Sequence, residues 1–306
     1  MVDLDLRRLR LLLELQERGT LAAVAAALGY SPSAISQQLA VLEREAGVRL
    51  LERAGRGVRL TEAGQLLAAH AGTILTAADA ARADLSALSD GVRGRVRAVG
   101  LQSALRRLLI PALASLAGRH PEVRVELTEL ELEAALPELR LGRVDLVVVD
   151  EYHGQPRPRP TGLRFAPLLA ERVRLVLPAG HALADGTGPV GLDGLKEAVW
   201  VASARDTGHH AMVLSVCREH GGFDPDLRHL TSDAAVQLEV VRHAGAVALL
   251  SDLSLPEEDP EIVVRDVAGA ELGRHLFMVT RTGMRPPALR EFVADLRAVA
   301  GALARS

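Results

Sequence analysis

Glycines at positions 19, 29 and 47 divide the first 47 residues into three segments, and each segment carries helical rather than strand periodicity. Leu6, Leu9 and Leu13 put leucines on one face of the first segment. Thr20 is a good N-cap for the second, which places Leu21, Val24, Ala25 and Leu28 on one side. Gly29-Tyr30 leaves room only for a tight turn before Ser31 caps a third helix, with Pro32 at its first position, where the missing N–H costs nothing.

The third helix has two faces that want different surroundings. Ile35, Leu39 and Leu42 recur at i, i+4 and i+7 and must point inward. Ser33, Ser36, Gln37 and Arg44 occupy another side, where a merely solvated helix usually carries Glu and Lys. Slim hydroxyls permit close approach to a groove, and an amide can bond an adenine edge in bidentate fashion. Two helices with so short a turn, the second exposing such a face, form a helix-turn-helix. After it, Val48–Leu51 and Val58–Leu60 read as short strands around a loop at Glu52–Gly57. Arg49, Arg53, Arg56 and Arg59 against Glu52 leave a local excess of 4 − 1 = +3, suited to a phosphate backbone; a solvated loop is the alternative.

From Thr61 a helical pattern runs to about Leu88, with Leu67, His70, Ile74, Ala78, Ala81, Leu85 and Leu88 spaced as the seam of a helix that pairs with another, so a dimer is expected. His70 reads there as a spacer. Gly91 and Gly94 mark a hinge, after which strands alternate with helices and imply a parallel sheet buried on both faces. The strands are Arg95–Leu101, Val123–Leu130, Val144–Val149, Arg172–Leu177, Val199–Ala202, Ala246–Leu250 and Leu272–Thr280. A late strand and a terminal helix, Pro287–Leu303, return to the first of two lobes, with a cleft between them.

Net charge bears on partners only when divided. The chain of 306 residues totals −3, but residues 1–60 hold nine arginines against seven acids, +2, and the remaining 246 stand at −5. That is a modestly basic module on an acidic body. The lone Cys217 excludes an intramolecular disulfide and fits a reducing compartment. With no secretory apolar run behind Asp3, Asp5, Arg7, Arg8 and Arg10, and no stretch near the roughly 20 residues that span a bilayer, a cytoplasmic protein is expected.

Gly19-Thr20, Val24-Ala25, Leu28, Ser31 through Leu39, Leu42-Glu43, Gly47 through Leu50, Glu52-Arg53 and Gly57 through Gly64 together resemble the N-terminal signature of LysR-type transcriptional regulators. The match is ungapped over about the first 65 residues. Farther on it is architectural, aided by Arg143-Val144-Asp145-Leu146 and by Ala244-Gly245 before a strand. The resemblance implies an α/β chain: a winged helix-turn-helix over residues 1–60, a linker and dimerisation helix over 61–90, and over 95–306 a two-lobed effector-binding domain of the type 2 periplasmic-binding-protein kind. Lobe I would span about 95–166 and 271–306, and lobe II about 167–270. It further implies a homotetramer that engages and bends promoter DNA under control of a small effector. Ser33, Ser36 and Gln37 would touch bases, and Arg53 and Arg56 the backbone or minor groove. Ala22, Ala23, Ala26 and Ala27 depart from the family, whose second helix is more polar or basic, and Leu51 stands where phenylalanine is common.

For the effector, the first strand of the body runs through Gln102-Ser103 into a helix N-terminus that favours a carboxylate or similar anion. Thr128 and Ser203 end two further strands, and all these positions commonly line the pocket in the family. Ser103 could equally cap its own helix. His209, His210, Cys217 and His220 lack metal-ligand spacing, so no metal is expected, and Cys217 reads as packing. Gly55-Arg56-Gly57 precedes a strand rather than a helix, so no phosphate loop and no cofactor are expected. An enzyme or solute-binding protein of the same two-lobed fold would need a secretion signal or a convergent acid, base or nucleophile. A DNA-bridging structural protein would need no cleft.

Overall fold

The computed structural model describes residues 4–55, 57–87, 92–283 and 286–305; Arg56, Leu88 and Gly91, which the sequence reading invokes, lie outside them. Three capped helices open the chain. Asp5 accepts from the N–H groups of Arg7 and Arg8 to start α1 (Leu6–Arg18), Thr20 accepts from Ala23 to start α2 (Leu21–Leu28), and Ser31 accepts from Ala34 to start α3 (Pro32–Ala46). Gly19, Gly29 and Gly47 close them in left-handed conformation. Leu9, Leu12, Val24, Ile35, Leu39, Leu42 and Leu50 form the core of this module. Leu6 stays 44% exposed, so the buried stripe of α1 is Leu9, Leu12 and Leu13 rather than the Leu6, Leu9 and Leu13 expected.

The wing is tighter than the six-residue loop expected, because Glu52, Arg53 and Ala54 are strand. β1 (Leu51–Ala54) and β2 (Gly57–Leu60) pair antiparallel, with Ala54 opposite Gly57. Its base is tied down by Glu43 of α3, whose Oε1 accepts from the N–H groups of Leu50 (2.8 Å) and Leu51 (3.0 Å).

The long helix α4 (Glu62–Ala87) has two apolar sides. Gly64, Ala68, Ala71 and Leu75 are buried on the side that packs on α1. Leu66, His70, Ile74 and Leu85 are exposed on the other. Leu67, expected in the pairing seam, is instead half-buried against the chain's own core. Leu13, Leu75 and Leu141 meet in a small cluster where the module rests on the body. Around it Glu14 pairs with Arg18 (2.7 Å) and with Arg143, and Arg18 pairs with Glu138 (2.7 Å).

The body is built on a sheet of order β10-β6-β11-β5-β3-β4, with β9 also on β6. β3 (Gly94–Gly100) pairs parallel with β4 (Val123–Glu129) and β5 (Leu146–Tyr152). β11 (Gly273–Arg281) runs antiparallel to β5 and to β6 (Leu163–Pro178), so the sheet is mixed rather than the parallel one expected. β6 has 16 residues where only its last third reads as a strand in the sequence. Its first part, Leu163–Arg172, pairs with β11; from Val173 onward it pairs with β9 (Ala248–Ser251) and β10 (Ile262–Arg265). One strand therefore carries the chain from lobe I into lobe II.

Lobe I adds α5 (Gln102–Ala104), which runs through a π-helical turn, Leu105–Leu109, into α6 (Ile110–Arg119), then α7 (Leu132–Arg140) and the returning α10 (Pro287–Leu303). Lobe II adds β7 (Val199–Ala202), α8 (Gly208–Val216), β8 (Asp226–Leu230) and α9 (Ala234–Ala244). Each lobe has its own core, around Leu108, Leu116, Phe292 and Leu296 in the first and Trp200, Val213, Cys217 and Leu249 in the second. Among the described residues no helix is long and apolar enough to cross a membrane.

Gly64 shows how closely α4 meets the wing. A Cβ there would overlap the carbonyl oxygen of Leu50 and lie 3.3 Å from the Cβ of Leu60. Gly64→Ala should therefore cost about 1–3 kcal/mol through overpacking, read as an earlier transition in urea unfolding of the full chain; an unchanged midpoint would show that the wing yields freely.

Candidate DNA-binding face and ligand cleft

Burial of Ile35, Leu39 and Leu42 turns the opposite side of α3 outward, and Ser33, Ser36 and Gln37 are all exposed. Ser33 Oγ lies 3.0 Å from Ser31 Oγ at the helix start, and the Gln38 amide accepts from Arg8 of α1 (3.3 Å). The side chains of Ser36 and Gln37 make no hydrogen bond within the chain among the described residues. Two slim hydrogen-bonding side chains thus stand free at the projecting helix.

In the wing the positive charge is less than a count implies, because Arg59 Nε donates to Glu52 (2.6 Å). Arg49 and Arg53 are exposed and have no carboxylate partner among the described residues. Arg53 and Gly55 line a concavity shared with Thr20 and Ala22 of the second helix and Pro32 of the third, so the wing stands beside both helix starts. Tyr30, in the turn between the second and third helices, is 63% exposed. The alanines of α2 leave Ala22, Ala26 and Ala27 on the surface without polar contacts to offer.

A cavity of about 340 Å³ lies between the two lobes. Its walls are loops at the carboxyl ends of β3, β4, β5 and β7, where open α/β sheets place ligands. Gln102, Ser103 and Ser203 line it. Thr128 does not: it is exposed within β4, and the strand's last residue, Glu129, with Leu130 and Glu131 after it, reaches the cavity instead. Alternation along the strand, invisible until the end of β4 is known, decides which residue faces in.

Ser103 is 2% exposed and is not a helix cap; the cap residue is Leu101, and Ser103 Oγ accepts from Arg274 Nη2 at 3.0 Å. Arg274, on β11, is buried yet ionised, its Nε 2.8 Å from Glu171 Oε1 and its Nη1 3.6 Å from Asp150 Oδ2. Burial, the largest single influence, works against the charge, but the carboxylates of Glu171 and Asp150 outweigh it and hold the pKa of Arg274 above the usual arginine value. Nothing in the sequence distinguishes this arginine from 34 others; only the sheet register, which sets it opposite Glu171 on β6 and Tyr152 on β5, reveals it. Arg157, from the proline-rich loop, also reaches the cavity and bonds Asp150 Oδ1 (3.1 Å) and Glu133 (2.9 Å).

On the lobe II side, the backbone N–H of Ser203 donates to His209 Nδ1 (3.0 Å), which leaves Nε2–H to donate to the Leu249 carbonyl (2.7 Å). His209 is thus held as one neutral tautomer. Burial pushes its pKa below the ordinary histidine value. Gln237 Nε2 donates to Ser203 Oγ (3.4 Å) and to the Thr231 carbonyl (2.6 Å). Contacts bridge the cleft at its rim: Gln102 Nε2 to Asp233 Oδ1 (3.4 Å) and Ser232 to the carboxylate of Glu131. Burial first, and then the neighbouring charge of Asp150, raise the pKa of Glu131 above the usual carboxylate value. Among the described residues no group of three or more His, Cys, Asp or Glu is arranged to hold a metal ion.

A winged helix-turn-helix joined to a two-lobed body with a polar cleft is the construction of a ligand-responsive transcriptional regulator. Residues 6–65 match the family described as bacterial regulatory helix-turn-helix protein, lysR family, and residues 89–301 match the LysR substrate binding domain. An HTH-type transcriptional regulator of Mycobacterium bovis is 31% identical over 289 residues, 90% of each chain. A probable hydrogen peroxide-inducible genes activator of Mycobacterium avium is 30% identical over 280 residues, 90% of this chain and 85% of the other. A full-length OxyR variant from Pseudomonas aeruginosa has the same fold, with a TM-score of 0.67 at 19% identity over 98% of this chain and 97% of the other. The chain belongs to the LysR family of transcriptional regulators, DNA-binding proteins modulated by a small-molecule effector.

Because the folded pKa of His209 is depressed, the unfolded chain takes up that proton first. Its contribution to stability is full above about pH 6.5 and is lost as pH falls below it. The urea midpoint should drop below that pH, and His209→Gln should flatten the drop; equal slopes in both proteins would assign the loss to other groups.

Proposed function

We propose that the protein reads promoter DNA with Ser33, Ser36 and Gln37 in the major groove, anchors on phosphates through Arg53 and its sequence neighbour Arg56, and takes its effector against Gln102, Ser103 and Ser203. The observation that carries this reading is the pairing state of the exposed face. Ser36, Gln37 and Arg53 spend no hydrogen bond or charge inside the chain among the described residues, whereas Gln38 and Arg59 nearby do. Free amide and hydroxyl groups suit base edges, and a free guanidinium suits phosphate. In this reading the protein acts in the cytoplasm and catalyses no reaction: the cleft histidine, His209, is locked by two hydrogen bonds, and Arg157 and Arg274 are held by carboxylates.

A homodimer through α4 completes the reading, supported by its exposed apolar side, Leu66, Ile74 and Leu85, which has no cover among the described residues. A tetramer built from such dimers gives four DNA-binding modules, so affinity comes from avidity rather than from one weakly basic module.

Relatives named as peroxide-inducible activators raise the question of a thiol sensor. Redox-sensing thiols are accessible and of low pKa. Cys217 is fully buried in the lobe II core, and that burial pushes its thiol up to about 12. The reading therefore gives peroxide no part in regulation through this thiol.

Ser36→Ala with Gln37→Ala should lose about 1–3 kcal/mol of discrimination per base contact, seen in gel shifts as a smaller preference for the protein's own upstream DNA over random duplex. Arg53→Ala should weaken binding to both DNAs alike and lower the salt slope by about 1. Loss of specificity from the wing change alone would reverse these roles. In iodoacetamide labelling, Cys217 should react only once the chain is unfolded; rapid labelling of the native protein would reopen the redox reading.

A further inference from the structure

The carboxylate ligand expected from the sequence sits poorly with the charges that line the cleft. Three acids, Glu129, Glu131 and Asp150, face two guanidiniums, Arg157 and Arg274, a balance of 2 − 3 = −1. Both guanidiniums are already committed. Arg157 binds Asp150 at 3.1 Å and Glu133 at 2.9 Å, and Arg274 is held by Glu171 and Ser103 at 2.8 and 3.0 Å. Glu129 and Glu131 have no ion-pair partner among the described residues. An arriving carboxylate would meet unpaired like charges and no free cation.

A second, independent feature points the same way. Gln237 is 2% exposed and lines the cavity. Its Nε2 donates to the Thr231 carbonyl, which fixes the amide orientation and leaves Oε1 as an acceptor without a donor among the described residues. Gln102 repeats the pattern: its Nε2 faces the Asp233 carboxylate and its Oε1 is unpaired. The unmet groups of the cavity are therefore acceptors, and its two guanidiniums are already engaged. A buried acceptor left without a donor is costly, and a ligand that supplies the missing group gains by it.

We propose that the effector carries a primary ammonium group, which seats against Glu131 and Glu129, with a donor available to the Gln102 and Gln237 side. Its size is that of a small metabolite, given a cavity of about 340 Å³. A carboxylate on the same molecule is compatible only at the Gln102-Ser103 helix start, away from the two glutamates. This rests on the reading of the cleft as the effector site.

Thermal-shift and calorimetric titrations of the full-length protein test it, using L-lysine and 1,4-diaminobutane as ammonium probes, glutarate as the anionic match and 1,4-butanediol as the neutral one. The expected result is stabilisation by an ammonium probe and none by glutarate, with Glu131→Gln weakening that binding at least 10-fold. The split between lysine and the diamine tells whether a carboxylate is also required. Stabilisation by glutarate or the diol alone overturns the ammonium assignment and leaves the effector cleft standing. An ammonium affinity unchanged in Glu131→Gln overturns it too, by placing the amine elsewhere. Silence with every probe counts against both.

Discussion

A buried guanidinium sits where the two lobes join. Arg274 on β11 lies opposite Glu171 on β6 and Tyr152 on β5, the three strands at the centre of the body. A charge taken out of water must be paired and hydrogen-bonded or it costs several kcal/mol. Glu171 neutralises it and, through its other oxygen, accepts from the N–H of Leu253 in lobe II at 2.7 Å. Asp150 supplies further negative charge, and Ser103 takes a hydrogen bond from the same guanidinium. One interaction therefore ties the central strands, a lobe II turn and the first loop of the cleft, and the cleft walls inherit their positions from it. It also removes Arg274 from the cations that a ligand could use.

The DNA-binding module shows the same economy on a smaller scale. Glu43 holds the base of the wing through backbone N–H groups, and Glu52 holds Arg59 across the hairpin. Ser36, Gln37, Arg44, Arg49 and Arg53 are among the side chains that stay unpaired on the exposed side within the described residues. The module in turn rests on lobe I through Leu13, Leu75 and Leu141 and through Glu14, whose side chain is 1% exposed between Arg18 and Arg143. A buried carboxylate between two arginines resists separation, because parting them would strand a charge.

Legibility in the sequence followed the range of the interactions. The three N-terminal helices were readable because caps and apolar spacing are local, and Pro287–Leu303 was readable for the same reason. β6 was only partly legible: Pro167 and weak alternation hide its first half, which is held as strand by pairing with β11 more than 100 residues away. β8 and β10 are short and went unread, since their pairing with β7 and β6 rather than their own pattern makes them strands. Gln102, Ser103 and Ser203 reach the cavity as strand-end reasoning implies, and Thr128 does not, because one residue of parity at the end of β4 reverses the face.

The sequence by itself determined the type of each N-terminal element, the division into a basic module and an acidic body, and which residues of α3 face outward, because these depend on neighbours within a turn or two of helix. Tertiary structure alone decided that the sheet is mixed, that Leu67 packs on the chain's own core, and that the cleft sets two carboxylates without ion-pair partners among the described residues beside engaged arginines. The reason is physical: ion pairing and burial join residues distant in the chain. Arg274 and Glu171, 103 positions apart, carry no mark of each other until the strands that bear them are side by side.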